Sequence, residues 1–287
     1  MARLLVVATP IGNLNDLTPR MREALESCDL VAAEDTRVTQ KLLSHFDLKK
    51  PLISCHRHNE DFRAPQLIAR MLEEDLTVAL TCDAGTPAIS DPGHLLVRAA
   101  WEAGISVTPI CGPSAVATAL SCAGFDARSF AFFGFPPREK KALCEALTAA
   151  RETGIPVAVF YESPHRICAL VECVGSLWPE ALVCVCADLS KKFEWILRGK
   201  PEDVLQALRA NPNVEKGEYC LVVDFSPLPA PVPAQPAASA PAQILEQMLA
   251  GRSLEEAAEI VGARGTARNE VYRAKIAVKR FLERDDG

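Results

Sequence analysis

One stretch, VALTCDAGTPAISDPG at residues 78–93, constrains the fold of this chain more than any other. It opens with a short apolar run that suits a buried strand and is too short for a core helix. A turn rich in glycine and proline follows, and it carries Asp83, Thr86 and Asp91. Open α/β sheets bind ligands outside the carboxyl ends of their strands, so this pattern is typical of a binding site. The same residue types also mark ordinary turns, which leaves a plain strand-to-helix connection as the alternative.

The composition indicates a globular protein with a sizeable core. The chain has 287 residues, of which 49% are hydrophobic and 24% charged, and this length suits two domains. The net charge of −6 argues against unselective nucleic-acid binding through an overall basic surface. No apolar run approaches the ~18 residues of a membrane span, and the first residues lack a signal-peptide pattern. We therefore expect a cytoplasmic protein.

The cysteines and histidines do not form a recognisable metal site. Eleven cysteines occur without any C-x-x-C pair, and no second pair or nearby histidine completes a zinc set around Cys184 and Cys186. Reduced core cysteines are the preferred interpretation. His56 and His58 lie close to Glu60 and Asp61, but a hydrogen-bonding or substrate-facing loop explains this segment better than a metal site.

The order of apolar runs predicts alternating strands and helices. Ten runs read as strands, at residues 4–8, 30–33, 51–55, 78–80, 105–110, 130–133, 157–161, 183–187, 193–197 and 219–225. The first strand ends in a loop with a single glycine, which does not fit the G-x-G-x-x-G spacing of a dinucleotide site. The second ends in Glu-Asp-Thr-Arg at 34–37, and the fifth in Gly-Pro-Ser at 112–114. Each could be an ordinary helix cap, but together they favour a ligand site.

The chain divides into four predicted segments. Two α/β domains cover residues 1–123 and 124–226, and a stretch with six prolines predicts a linker over 227–242. A small helical basic module follows at 243–287, with a capping box at 253–256 and Thr266 as a second cap. Its basic face suits nucleic acid, although a solvated helix face is the alternative.

Eight motifs, in order along the chain, carry a resemblance to a known family. They are TPIGNLND (9–16), AEDTR (33–37), HNED (58–61), CDAGTPAISDPG (82–93), GPSA (112–115), FFGFPPRE (132–139), ESPHR (162–166) and KKFEWILRGK (191–200). Residues 1–226 thereby resemble the bacterial 16S rRNA (cytidine-2′-O)-methyltransferases. Two departures are Ala187, where the family usually has arginine, and Cys82, where serine is common.

The resemblance implies a tetrapyrrole methylase-like α/β fold, with two α/β domains, the cofactor in the cleft between them, and here a small C-terminal helical appendage. It implies S-adenosylmethionine as cofactor, 16S rRNA or the 30S subunit as partner, and a homodimer without metal or membrane. Carried over by motif, the cofactor would be bound by Pro10, Asp83, Ala84, Gly85, Thr86, Pro87, Ile89, Ser114, Ala115, Tyr161 and Leu189.

The reaction would methylate the ribose 2′-hydroxyl of a cytidine in the decoding region. We hypothesise that Asp35 or Glu60 accepts the hydroxyl proton and that Arg37 orients the ribose or a phosphate. Basic residues of two segments would bind the RNA, namely Arg138, Lys140, Lys141, Arg268, Lys275 and Lys279.

Two other functions stay open at this point. One is a small-molecule methyltransferase of the same fold that acts on a tetrapyrrole, although such enzymes usually carry a Gly-x-Gly-Pro-Gly-Asp first loop. The other is a non-catalytic RNA-binding protein of ribosome assembly, which would need neither the Gly/Pro loops nor tight cofactor binding.

Overall fold

The computed structural model describes residues 1–230, 239–263 and 267–282. The chain separates into two compact units, Met1–Ala230 and Pro231–Gly287. In the described residues of both units, no helix has the length and apolar character that crossing a membrane requires.

The first unit begins with a five-stranded parallel sheet. Its strands are β1 (Arg3–Val7), β2 (Leu30–Ala33), β3 (Leu52–Ser54), β4 (Thr77–Thr81) and β5 (Ser106–Ile110), in the order β3-β2-β4-β1-β5. The helices of this half are α1 (Pro19–Ser27), α2 (Thr36–His45), α3 (Glu60–Glu74), α4 (His94–Glu102) and α5 (Ala115–Ala123). Every residue of β2 and β4 is buried, because α1 and α2 cover one face of the sheet and α3 and α4 the other.

A second, mixed sheet follows in the same unit. It contains β6 (Phe130–Phe132), β7 (Val157–Glu162), β8 (Leu182–Ala187), β9 (Trp195–Gly199) and β10 (Tyr219–Asp224), in the order β6-β7-β10-β8-β9. Only β6 and β7 run parallel among its pairs. Helices α6 (Lys140–Glu152), α7 (Ile167–Leu177) and α8 (Pro201–Ala210) cover one face.

Helix α5 packs on the other face of the second sheet. Its buried residues Val116, Ala119 and Ala123 contact apolar side chains of β7, β8 and β10. The predicted domain boundary at 123 places this helix with the first sheet. Its packing on the second sheet joins the two halves of the unit.

The predicted strands are confirmed within the described residues, with small shifts of bounds. The predicted antiparallel pair is β8 and β9, whose register joins Ala187 to Trp195. Strand β9 begins two residues later than predicted, because residues 191–194 form a turn closed by the Glu194 N–H donating to the Lys191 carbonyl at 3.1 Å.

The second unit contains three described helices around its own small core. They are α9 (Ala240–Leu249), α10 (Leu254–Ala263) and α11 (Arg268–Leu282). The predicted capping box is confirmed, since the Ser253 and Glu256 N–H groups donate to each other's side chains at 2.9 and 3.3 Å.

The sequence analysis missed α9, whose first residues fall inside the predicted linker. A proline is tolerated in the first turn of a helix, and Ile244 then packs with α10 and α11. Thr266 and half of the predicted linker, residues 231–238, lie outside the described residues.

Candidate active site

The carboxyl ends of the parallel strands bring the loops after β1, β4 and β5 to one edge of the first sheet. Thr9, after β1, and Gly85, after β4, exchange two backbone hydrogen bonds of 2.8 and 3.0 Å. The Thr9 hydroxyl donates to the Cys82 carbonyl at 3.2 Å, and the Thr86 hydroxyl donates to the Pro113 carbonyl at 3.2 Å. The loops after β1, β4 and β5 are thereby held as one surface.

This surface forms one wall of a cavity of about 460 Å³, and loops of the second sheet form the other. The volume is typical of small-molecule sites. The first half contributes Ile11, Glu34, Asp83, Ala84, Gly85, Thr86, Ile89, Ser90, Asp91, Ser114 and Ala115. The second half contributes Phe135, Tyr161, Glu162, Ser163, Pro164, Cys186, Leu189, Gly217, Glu218, Tyr219 and Cys220.

Contacts between the loop at 188–194 and the loop at 9–16 fix the two walls to each other. The Ser190 hydroxyl donates to the Asp16 carboxylate, and Lys191 lies against the backbone of Gly12, where a side chain would collide with it. The Lys191 ammonium also pairs with Asp188 and Glu218, each at 3.1 Å. The cavity therefore has a defined width before any ligand enters.

Three carboxyl groups give the first wall a negative charge. Burial raises the pKa of Glu34, Asp83 and Asp91, and each also lies near another acid of the group. The backbone N–H of Asp83 donates to Glu34 Oε2 at 3.3 Å. Arg57, which donates to the Ser90 carbonyl at 2.9 Å, supplies a partial counter-charge. Such a wall favours a ligand with a positive charge or with hydroxyl donors.

Of the cofactor residues carried over by motif, nine of the eleven line the cavity. They are Asp83, Ala84, Gly85, Thr86, Ile89, Ser114, Ala115, Tyr161 and Leu189. Pro10 and Pro87 do not line it, and each instead follows a residue, Thr9 or Thr86, that joins two loops.

Asp35 lies at the N-terminus of α2 and outside the cavity lining. Its carboxylate accepts the Arg37 N–H at 2.8 Å and pairs with the Arg37 guanidinium at 2.6 Å. The Arg37 side chain lowers the pKa of Asp35 to about 2. A carboxylate held in this way is a weak base, so the geometry argues against Asp35 as the proton acceptor. Arg37 itself is 87% exposed.

The Glu60 side chain forms hydrogen bonds with the start of the neighbouring helix α4. The residue is 2% exposed, and its Oε1 accepts the N–H groups of Gly93, Leu95 and Leu96 at 2.9, 2.7 and 3.2 Å. These are the unpaired donors at the start of α4, which Glu60 therefore caps from α3. Glu60 lies outside the cavity lining, and its hydrogen bonds to α4 favour a capping function over the predicted acceptance of the ribose proton.

The sequence analysis also missed residues that line the cavity, above all Glu34, Phe135 and Glu162. Each belongs to one of the motifs AEDTR, FFGFPPRE and ESPHR, and this was the sequence signal that could have identified it as a cavity residue. In the described ranges, no group of three or more histidine, cysteine or acidic side chains is placed to hold a metal ion.

The predicted RNA-binding residues occur in both units. Arg138, Lys140 and Lys141 are exposed at the start of α6, and Lys141 lies 3.9 Å from Glu145. On α11, Arg268 and Lys279 are exposed, while Lys275 pairs with Glu255 of α10.

Comparison with known proteins identifies the class. The family model described as Tetrapyrrole (Corrin/Porphyrin) Methylases matches residues 3–205. A solved uroporphyrin-III C-methyltransferase from Thermus thermophilus, complexed with S-adenyl homocysteine, has the same fold, with a TM-score of 0.52 and 14% identity. The alignment covers 77% of this chain and 97% of that chain. The predicted fold class is confirmed, and the protein is an enzyme of the methyltransferase class.

Two relatives of similar sequence indicate the family within this class. A protein of Halalkalibacterium halodurans named ribosomal RNA small subunit methyltransferase I is 44% identical over 221 residues, which are 77% of this chain and 75% of the relative. A protein of the same name from Escherichia coli O157:H7 is 43% identical over 223 residues, 77% of each chain. The chain belongs to the ribosomal RNA small subunit methyltransferase I family of the tetrapyrrole methylases, so the predicted resemblance is confirmed.

We predict that Glu60→Ala destabilises the protein by about 2–3 kcal/mol, because three N–H groups at the start of α4 lose a charged acceptor. The neighbouring Asp61→Ala, an exposed acid in the same helical turn, should cost less than about 0.5 kcal/mol. Urea unfolding of both variants measures the difference. Equal losses would contradict the capping function of Glu60.

We also predict opposite pH dependences for two acids near the cavity. The pKa of Asp91 is raised above 3.8 by burial, so its contribution to stability is present below pH 3.8 and is lost as the pH rises through the folded-state pKa. The pKa of Asp35 is lowered to about 2, so its contribution is present above pH 3.8 and is lost as the pH falls towards 2.

Asp91→Asn should therefore be more stable than the wild type at pH 7, with the advantage vanishing near pH 3.5. Asp35→Asn should be less stable than the wild type at pH 7, with a difference that shrinks below pH 3.8. Urea midpoints at pH 7, 5 and 3.5 test both. Parallel pH profiles for the two variants would refute the assignment of opposite shifts.

Proposed function

We propose that this enzyme transfers a methyl group from S-adenosylmethionine to the 2′-hydroxyl of a cytidine in 16S rRNA. The observation that carries the proposal is the cavity, which nine motif residues of both halves line together. The relatives add support through their name, which specifies RNA of the small ribosomal subunit.

The cavity fits this cofactor in its chemistry. Leu189 and Tyr161 offer apolar surface from the second half, and burial raises the pKa of Tyr161, so its phenol stays neutral. The N-terminus of α5, capped by Ser114, presents N–H groups suited to a carboxylate. When bound, the cofactor supplies an electrophilic methyl group on a positively charged sulfonium, which suits the acidic first wall.

A buried oxygen of Glu162 gives independent support for a ligand with donor groups. The residue is 2% exposed and lines the cavity, and its Oε1 accepts the Ser163 N–H at 2.7 Å. Oε2 forms an ion pair with Arg166 Nη2 at 3.2 Å, and the same Nη2 donates hydrogen bonds to the carbonyls of Pro136 and Pro137. Within the described residues Oε2 receives no hydrogen bond besides this ion pair, and an amino group of the cofactor would supply one.

Catalysis in this site rests mainly on orientation. The rigid cavity walls hold the reacting groups in line, and no covalent enzyme intermediate is required. We propose Glu34, in place of Asp35 or Glu60, as the group that accepts the hydroxyl proton. It lines the cavity, and burial raises its pKa, which makes it the stronger base. Arg37, with its exposed guanidinium, is proposed to orient a phosphate.

RNA binding is proposed to use the basic residues of both units. Arg138, Lys140 and Lys141 of the first unit and Arg268, Lys275 and Lys279 of the second are suited to contact phosphates, and affinity should fall steeply with salt. On the resemblance alone, we propose a cytoplasmic homodimer with the 30S subunit or 16S rRNA as its partner.

The substrate test is methyl transfer from labelled S-adenosylmethionine to 30S subunits that lack the modification, with free 16S rRNA in parallel. Digestion to nucleosides should yield labelled 2′-O-methylcytidine. Transfer to a tetrapyrrole and to neither RNA form would overturn the proposal in favour of a small-molecule methyltransferase.

The same assay tests Glu34. We expect Glu34→Gln to lower kcat about 100-fold, since general bases contribute roughly 10²–10⁴-fold, while cofactor affinity changes little. Asp35→Asn and Asp61→Asn serve as controls and should keep kcat within about threefold of the wild type. A Glu34→Gln variant of full activity would exclude Glu34 as the base.

A further inference from the structure

The aromatic ring of Phe135 lines the cavity and yet faces water. Phe135 is 62% exposed, and Ile89 on the opposite wall is 63% exposed. Among the large hydrophobic side chains that line the cavity within the described chain, only these two are mostly exposed. An exposed apolar surface at the mouth of a binding cavity is typical of a contact that a ligand covers.

Aromatic and backbone contacts hold the ring in place. The Phe135 ring lies 5.6 Å from that of Tyr161, which in turn packs edge-on against Phe132 at 4.8 Å. The Tyr161 N–H donates to the Gly134 carbonyl at 2.9 Å, so the backbone just before Phe135 is tied to the end of β7. The ring is therefore backed on one side by another aromatic group and open on the other.

The segment after Phe135 is fixed as well. It contains Pro136 and Pro137, whose carbonyls accept hydrogen bonds of 3.3 and 2.6 Å from Arg166. Proline fixes its own backbone, and the Arg166 guanidinium is held by its ion pair with Glu162. Such a segment loses little conformational entropy when a ligand binds.

A positively charged segment follows the two prolines directly in the sequence. Arg138, Lys140 and Lys141 are all exposed, while the acid between them, Glu139, caps α6 by accepting the N–H groups of Lys141 and Ala142 at 2.9 and 2.8 Å. An open aromatic face followed by cations matches how proteins bind single-stranded nucleic acid, through base stacking and phosphate contacts.

We propose that Phe135 is the platform on which the base of the target nucleotide stacks, with Arg138 contacting a neighbouring phosphate. The proposal rests on the proposed RNA substrate and goes beyond it, because it names the residue that receives the base. A nucleotide presented to an enclosed site leaves the stack of its neighbours, and an aromatic ring at the cavity mouth replaces that stacking. Phe135 would thus position the ribose over the cavity.

The test compares Phe135→Ala with Phe135→Trp. We expect kcat/KM on 30S subunits to fall about ten- to a hundredfold in the alanine variant and to stay within about threefold of the wild type in the tryptophan variant. Affinity for S-adenosylhomocysteine, measured by calorimetry, should change less than about twofold in both.

The matched control is Trp101→Ala, which removes an aromatic ring of 64% exposure. Trp101 lies at the end of α4, away from the carboxyl edge of the sheet, and its loss should leave transfer unchanged.

A second readout does not depend on methyl transfer. A single-stranded RNA oligonucleotide with the fluorescent analogue pyrrolocytosine at the target position is titrated with each variant, because stacking quenches its emission. The wild type and Phe135→Trp should quench it, and Phe135→Ala should not. If the wild type transfers no methyl group to RNA but shows Phe135-dependent quenching, the proposed function fails and the stacking platform stands.

Any of four results would overturn the stacking platform, and three of them concern the variants. They are equal quenching by wild type and Phe135→Ala, a parallel loss of S-adenosylhomocysteine binding that makes Phe135 part of the cofactor wall, and a change of sedimentation that makes it an interface between copies of the chain. Absence of oligonucleotide binding by the wild type would likewise refute it.

Discussion

The paired hydrogen bonds between Thr9 and Gly85 are the contact on which the rest of the site depends. They join the loops after β1 and β4, two adjacent strands of a parallel sheet whose carboxyl ends necessarily meet at one edge. The hydrogen bond from Thr86 to Pro113 adds the loop after β5. A wall built from backbone in this way keeps its shape whether or not a ligand is present, and orientation is what a methyl transfer requires.

The second wall is positioned by packing as much as by polar contacts. Helix α5 starts at the cavity with Ser114 and buries its apolar face on the second sheet, so one helix belongs to the site and to the contact between the halves. The contacts of Ser190 and Lys191 with the first loop close the opposite side. A helix terminus, three acids and the apolar surfaces of Leu189 and Tyr161 then face one volume, an arrangement that suits a zwitterionic, positively charged cofactor.

Much of the fold and of the cavity lining could be predicted from the sequence. Short apolar runs separated by helical patterns predict the strands, because a buried parallel strand needs such a run, and the motifs locate nine cavity residues.

Tertiary contacts could not be predicted from these patterns. Glu60 looked like a reactive acid, but its place beside the start of α4 depends on how α3 packs. Asp35 and Glu34 are neighbours in sequence, and only the fold decides which of them faces the cavity. The proline-rich composition before α9 concealed a helix whose formation depends on packing against α10 and α11.

Calorimetric titration with S-adenosylhomocysteine tests most directly whether the cofactor occupies the cavity between the two halves. Ala115 lines the cavity at the start of α5, whereas Ala117, two residues later, is exposed to solvent. Filling the cavity with Ala115→Phe should abolish binding, while Ala117→Phe should bind like the wild type. Undiminished binding to Ala115→Phe, with the variant folded, would contradict the account.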